Sequence, residues 1–336
     1  MIRMKLRKIF KIPIYLDNML SSPCLDSFTE QGRFLTKVVY INRESGDLEE
    51  EKIYGKIFLD AFYGNSMLSK VLFLLVLPVV THVSLFSKLY GKIQKSPKSC
   101  AKIRPFIKKF GVDISEIATP IDSFRSFNDF FIRKLKHQAR PIAEGDHVAI
   151  LPADGRYLVY PKINLIERFY VKNKKFDLRR LLLDKDLFDL YECGSMVIVR
   201  LSPTDCHRFH FPCRCLPSEP ESIAGPLFSV NPIALKRQIY ALSENKRMIT
   251  QLQTDRFGNI LYIEVGATFV GTIKQTYTPH LSYNKGEEKG YFEFGGSCLI
   301  LLFQPDSITL DQDLIDNSLK HIETKAKFGM SLGRCK

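Results

Sequence analysis

Ser297 follows two glycines in Gly295-Gly296-Ser297-Cys298, between Phe292-Glu293-Phe294 and the apolar run Leu299-Ile300-Leu301-Leu302-Phe303. A serine directly after two glycines, at the mouth of a strand, suits a backbone that cuts itself. Its hydroxyl can attack the carbonyl of Gly296, and glycine, which has no Cβ, tolerates the strained backbone this requires. The same residues also read as a plain turn or bulge before a buried strand. Two further segments carry reactive side chains. Leu201 to Pro212 holds His207 and His210, three residues apart. Two such histidines can bind a metal, but no carboxylate or cysteine partner completes a site, and Pro203 and Pro212 argue against a regular helix. One structural and one exposed histidine is the plain alternative. Pro152-Ala153-Asp154-Gly155 places an acid in a tight turn before a strand, which by itself is a common Asp-Gly turn.

The chain that must position these residues has 336 residues and is 45% hydrophobic, enough for one large domain with an extension or for two domains. Its formal net charge of +13 suits an anionic partner, nucleic acid or a membrane face. Between Phe86 and Arg140 there are 13 Lys/Arg against 4 Asp/Glu, interleaved with Phe106, Phe110, Phe124, Phe127, Phe130 and Phe131. No nucleic-acid-binding motif accompanies that charge; a solvated basic surface is the competing reading. The eight cysteines lack the spacing of a disulfide framework. Cys213-Arg214-Cys215 resembles half a metal site without a second pair, so the cysteines read as reduced thiols in a cytoplasmic setting. The basic N-terminus (Arg3, Lys5, Arg7, Lys8, Lys11) lacks the apolar stretch and cleavage site of a signal peptide. Val71 to Val80 is an unbroken apolar run, extended to Phe86 and interrupted by Pro78. It is short for a spanning helix, which needs about 20 residues. A kinked interfacial element fits it, with a buried core helix as the alternative.

Val39 to Leu48 predicts a strand ending in the turn Ser45-Gly46-Asp47. From Lys52 to about Phe131 the apolar spacing is mostly helical, with a stripe at Ile103, Phe106, Ile107 and Phe110 and an N-cap in Ser126-Phe127-Asn128-Asp129. After Arg140-Pro141 short β-rich runs take over, at Tyr157–Tyr160, Met196–Val199, Ile260–Ile263, Thr268–Ile273 and Cys298–Phe303. Only Phe176–Leu190 and Pro232–Tyr240 look helical there. The reading is a helical N-terminal region before a β-rich C-terminal domain.

Taken together, these segments resemble the phosphatidylserine decarboxylases, which are pyruvoyl enzymes. Gly295-Gly296-Ser297-Cys298 is similar to the family's processing signature, Ala153-Asp154-Gly155 to its Ala-Asp-Gly turn, and Asp205 through Pro212 to its Asp-Tyr-His-Arg-x-His-x-Pro segment. Leu227 to Asn231, Asn245-Lys246-Arg247, Val265-Gly266-Ala267, Ser126 to Lys136 and Ala139-Arg140-Pro141 match further family segments, so the likeness runs from about Val39 to Gly333. Cys206 stands where the family usually has tyrosine, and Cys298 where it has threonine or serine; a thiol beside the serine could alter processing.

The resemblance implies an α+β fold. A membrane-associated helical region, 1–140, would precede a β-rich, barrel- or sandwich-like catalytic domain, 141–336. It implies self-cleavage between Gly296 and Ser297 into a β chain (1–296) and an α chain (297–336). Asp154, His210 and Ser297 would be the processing triad: a hydroxyl needs a base, and the base an orienting carboxylate. Ser297 would become a pyruvoyl group, the only cofactor, without pyridoxal phosphate or metal. That group would form a Schiff base with phosphatidylserine and act as electron sink while CO2 leaves. His207 would assist decarboxylation or reprotonation. The expected partners are phosphatidylserine in an anionic membrane and the two chains of one precursor, with a homodimer of the processed unit compatible and nucleic acid not expected. The expected place is the cytoplasmic face of the inner membrane, peripheral or monotopic. A pyruvoyl decarboxylase of a soluble amino acid, and a non-catalytic basic lipid-binding protein that has lost processing, are the rival readings.

Overall fold

A computed structural model describes residues 38–64, 66–77, 81, 84–163, 176–235, 238–267, 272–295 and 297–336. The basic N-terminus, Pro78 to Val80, most of the Thr268–Ile273 strand and Gly296 lie outside the described residues. Residues Val38–Lys336 form one compact unit. Its strands, in chain order, are β1 (Val39–Asn42), β2 (Leu48–Glu50), β3 (Val148–Ile150), β4 (Gly155–Tyr160), β5 (Ser195–Leu201), β6 (Arg208–His210), β7 (Leu216–Pro217), β8 (Glu221–Ile223), β9 (Arg247–Gln253), β10 (Asn259–Gly266), β11 (Ile273–Gln275), β12 (Glu288–Phe292), β13 (Ser297–Phe303), β14 (Thr309–Leu310), β15 (Glu323–Ala326) and β16 (Ser331–Arg334).

The main sheet runs β2-β1-β15-β4-β5-β13-β10-β9-β7, with β8 also on β9. All its pairs are antiparallel except β1 with β15. Two three-stranded sheets, β11-β12-β6 and β14-β16-β3, accompany it. β13 lies near the middle and is buried along its whole length. Its sequence is apolar at both parities, as a strand covered on both faces must be. Leu299, Leu301 and Phe303 pack with Phe209 and Phe292 from the small sheet. Cys298, Ile300 and Leu302 pack on the other face with Leu181 and Leu182.

The mixed, antiparallel-rich architecture matches the expectation; a closed barrel does not form. The edges β2 and β7 do not pair with each other. They are strands of three and two residues, too short to close a cylinder. The helical region appears as short pieces: Lys56–Tyr63, Met67–Val71 continuing into a π-turn Leu72–Val76, Ser84–Gln94, Ile103–Phe110 and Phe127–Phe131. The N-cap is as read: Ser126 Oγ accepts from the Asp129 amide at 3.1 Å. Helices Ala241–Glu244 and Gln312–Leu319 were not expected. Gln312–Leu319 is rich in Asp and Asn, weak helix formers, and forms because Leu314 and Ser318 pack inward.

A fully buried ion pair joins the main sheet to the small one. Lys289 Nζ on β12 donates to Glu264 Oε1 on β10 at 2.5 Å, and to Thr250 Oγ1 and Gln275 Oε1 at 3.0 Å each. Losing one member of such a pair strands a buried charge, at a cost of about 3–5 kcal/mol. Lys289→Ala should therefore lower unfolding stability by about that much, whereas Lys289→Met with Glu264→Leu should recover most of it. Denaturant titration of both variants in a Ser297→Ala background checks this, and equal losses would refute it.

Candidate active site

Ser297 opens β13. Its cross-strand neighbours are Leu201 on β5 and Gly266 on β10. Alternation puts its side chain on the face of Leu299. It is wholly buried, and among the described residues its Oγ has no hydrogen-bond partner. A buried hydroxyl left unsatisfied costs about 1–3 kcal/mol, so such atoms are rare and call for a reason. Gly295, two residues earlier, has φ 140°, a conformation open to glycine and strained for other residues.

The approach to Ser297 is fixed by groups far away in sequence. The Phe292 amide donates to the His207 carbonyl at 2.9 Å. The Phe294 amide donates to Asn128 Oδ1 at 2.8 Å. The Phe294 ring lies 4.7 Å from that of Phe131 and 5.2 Å from that of Phe127. The helix Phe127–Phe131 thus holds the segment that leads to the serine. On the other side, Asn245 Nδ2 donates at 2.8 Å to the carbonyls of Phe228 and Gly266, fixing the strand end opposite Ser297.

His207 follows the turn after β5 and is fully buried, its ring 3.7 Å from that of Phe131. Its Nδ1 faces the Asp205 carbonyl at 3.0 Å. A carbonyl only accepts, so Nδ1 carries the proton and Nε2 is a bare acceptor, without a partner among the described residues. Burial pushes its pKa down to about 3, with the Arg133 and Arg156 charges adding to that. Asp205 is itself clamped by Arg156 and by the Ser202 amide.

His210 ends β6. Its Nδ1 faces the Pro152 carbonyl at 3.1 Å, which again leaves Nε2 as acceptor. Its ring stacks on Phe328, centroids 3.7 Å apart and planes 13° apart. Burial lowers its pKa to about 4. Asp154, just before β4, is buried. Its Oδ1 accepts from Arg140 Nε at 2.8 Å and the Phe328 amide at 2.9 Å, and its Oδ2 from Arg140 Nη2 at 2.6 Å. Burial alone would raise its pKa; the Arg140 hydrogen bonds and charge outweigh this and hold it below the usual carboxylate range. Arg140 also pairs with Glu116 at 2.9 Å.

The structure therefore brings Asp154 and His210 to the wall of one cavity of about 410 Å³, together with Arg140, Arg208, Glu288 and Phe328. It does not join them by a hydrogen bond, and Ser297 bonds to neither. Arg140, Asn128 and Phe328 have no role at the site in the residue-by-residue sequence reading, Asn128 entering only as part of a helix N-cap. The first two sit inside family-like segments, while Phe328 gives no signal. The two departures from the family pattern are quiet. Cys206 Sγ donates to the Arg133 carbonyl at 3.4 Å, and burial pushes the Cys298 thiol up to about 12, where it stays protonated. Among the described residues, no group of three or more His, Cys, Asp or Glu is placed to hold a metal ion.

Residues 127–334 match the family model described as phosphatidylserine decarboxylase. Curated relatives named phosphatidylserine decarboxylase proenzyme are similar over most of their length. The protein of Chlamydia pneumoniae is 46% identical over 303 residues, covering 89% of this chain and 98% of the relative. That of Chlamydia caviae is 45% identical, covering 89% and 99%, and that of Chlamydia muridarum 44%, covering 88% and 97%.

Proposed function

Since the chain belongs to the phosphatidylserine decarboxylase family and so is a proenzyme that removes CO2 from phosphatidylserine, we propose that it makes its reactive carbonyl from its own Ser297 by cleaving the Gly296–Ser297 bond. The observation that carries this is the Ser297 hydroxyl, buried, unpartnered among the described residues and two residues after Gly295 at φ 140°. His210 Nε2 takes the hydroxyl proton as Oγ attacks the Gly296 carbonyl. The acyl group moves from nitrogen to oxygen, giving an ester and a free amine. Loss of the Ser297 Cα proton then expels the Gly296 carboxylate and leaves dehydroalanine. Its imine tautomer is hydrolysed by water, releasing ammonia and leaving a pyruvoyl group at the new N-terminus.

That group fits the site: it needs no hydroxyl partner, and among the described residues the Ser297 Oγ has none. Bound there, it supplies the electron sink that decarboxylation of an amino acid requires. Around it, His207 Nε2 holds and moves the proton at the substrate Cα, and Phe131 and Asp205 keep that imidazole in place. Mass spectrometry of the C-terminal fragment tests the assignment. A fragment 297–336 beginning with pyruvoyl is expected; an intact chain, or a fragment with a free serine amine, refutes it.

The substrate lies in a bilayer, so the enzyme must reach one. Among the described residues no helix is long and apolar enough to cross a membrane. Yet Met67, Leu68, Val71, Leu74 and Leu75 are exposed on one helical stretch, with Leu89 and Ile93 exposed on Ser84–Gln94. Leu77 and Phe73 instead pack against Tyr63. A one-sided apolar face beside a basic region supports peripheral docking on an anionic membrane. Burying one Leu is worth about 1.5–3 kcal/mol. Leu68→Asp with Leu75→Asp should therefore weaken co-sedimentation with phosphatidylserine-containing vesicles at least tenfold and leave self-cleavage intact. Unchanged sedimentation would remove this face from the docking surface.

A further inference from the structure

We propose that Phe328 is a positioning residue for His210, and that Asp154 acts on the imidazole through it. The inference rests on the self-processing reading and deepens it. In the usual arrangement, the carboxylate of a triad accepts directly from the imidazole. Here it does not. Both oxygens of Asp154 are taken, by Arg140 and by the Phe328 amide, and the imidazole turns its Nδ1 to the Pro152 carbonyl.

What Asp154 does reach is the backbone of the residue whose ring lies on His210. The Phe328 amide is fixed at 2.9 Å from Asp154 Oδ1, and the Phe328 ring lies 3.7 Å from the imidazole, nearly parallel to it. The other end of the chain of contacts is equally fixed, because Arg140 bridges Asp154 and Glu116. Neighbouring Lys327 pairs with Glu44 at 2.9 Å and Glu116 at 3.3 Å, which anchors the backbone on the far side of the amide. The Pro152 carbonyl fixes one edge of the imidazole and the Phe328 ring fixes its plane. Only the direction of Nε2 remains, and those two constraints determine it. Without the ring, the imidazole can tilt into the 410 Å³ cavity that both residues line.

This assigns Phe328 a role that depends on a flat ring rather than on apolar bulk. Phe328→Leu keeps the bulk and loses the plane; Phe328→Tyr keeps both. A misplacement of a catalytic group by about 1 Å can cost on the order of a hundredfold in rate. Phe328→Leu should slow self-cleavage of newly synthesised chain by roughly ten- to a hundredfold, while Phe328→Tyr cleaves close to the parent rate. A purely structural Phe328 would not separate the two.

The ring current gives an independent readout that needs no cleavage. In the intact Ser297→Ala chain, the His210 carbon-bound ring protons should resonate upfield of the usual histidine positions, as those of His207 against Phe131 also should, and Phe328→Leu should abolish the His210 shift alone. The proposal is overturned if Phe328→Leu cleaves at the parent rate, if Phe328→Tyr is as slow as Phe328→Leu, or if the His210 ring protons resonate at the usual histidine positions in the Ser297→Ala chain. The last observation stands even if Phe328→Leu fails to fold. If Ser297→Ala itself still splits between residues 296 and 297, the processing reading has failed. If it stays whole and Phe328→Leu matches the parent, only the positioning role is lost.

Discussion

A Ser297→Ala chain stays whole on a denaturing gel, while the parent resolves into fragments 1–296 and 297–336. The loss should be complete rather than partial, because no neighbour can substitute as nucleophile. Cys298 is the nearest candidate, but its side chain lies on the opposite face of β13, among Ile300 and Leu302. Burial also holds its thiol up at about 12, so thiolate is scarce at neutral pH. His210→Ala should likewise leave one chain, having removed the base. The pH dependence follows from burial. With its pKa lowered to about 4, His210 is neutral and proton-accepting at pH 7. Cleavage should be flat around neutrality and fall as pH drops through about 4. The same burial acts on folding with a definite sign. In the unfolded chain histidine titrates near 6.5, so on acidification the unfolded state takes up protons first. Stability therefore falls as pH drops below about 6.5. Near-UV circular dichroism of the Ser297→Ala chain over the same range separates the two causes. Two fragments from Ser297→Ala at the native site would end the assignment.

Gly295-Gly296-Ser297 by itself reads equally as a plain turn, and only the family-like segments around it single out the serine. The strand it opens was legible because local chemistry specifies it, an apolar run buried on both faces. The N-cap at Ser126 was legible for the same reason. What the sequence hid is the part built by contacts between distant residues. Asn128 reads as a helix-start residue, yet its side chain holds the Phe294 amide three residues before Ser297. Asn245 lies in a segment with no visible chemistry, yet it ties Phe228 to the strand end opposite Ser297. Asp154 and His210 were named, but not their partners. That Asp154 would bind Arg140 and a backbone amide rather than an imidazole depends on how β4, β6 and the 327–330 turn approach one another, which no local pattern encodes. The barrel expectation failed on the same ground. Strand runs can be read from alternation, but closure depends on the lengths and pairing of the edge strands, and here these are very short.

His207→Ala should still cleave into two fragments yet release CO2 from labelled phosphatidylserine about 10²- to 10⁴-fold more slowly, the span typical of a lost general acid–base group. The two histidines lie three residues apart, and the structure gives them different surroundings. His210, at the end of β6, lines an accessible cavity with Asp154. His207, before β6, is sealed against Phe131, and its carbonyl holds the Phe292 amide on the approach to Ser297. A period-two strand separates residues three apart onto opposite sides. In the precursor His207 is neutral, its pKa near 3, and so cannot give up a proton from Nε2. The phosphate of a substrate beside it would favour imidazolium, as an adjacent negative charge does. An imidazole charged in that way would suit reprotonation of Cα and not the earlier cleavage. The alanine variant keeps the backbone carbonyl that holds Phe292, so the approach to Ser297 should survive. Fragment yield beside CO2 release separates the cases. If His207→Ala blocks cleavage while His210→Ala processes normally, the two roles are reversed; if His207→Ala releases CO2 at the parent rate, its imidazole serves packing against Phe131 alone.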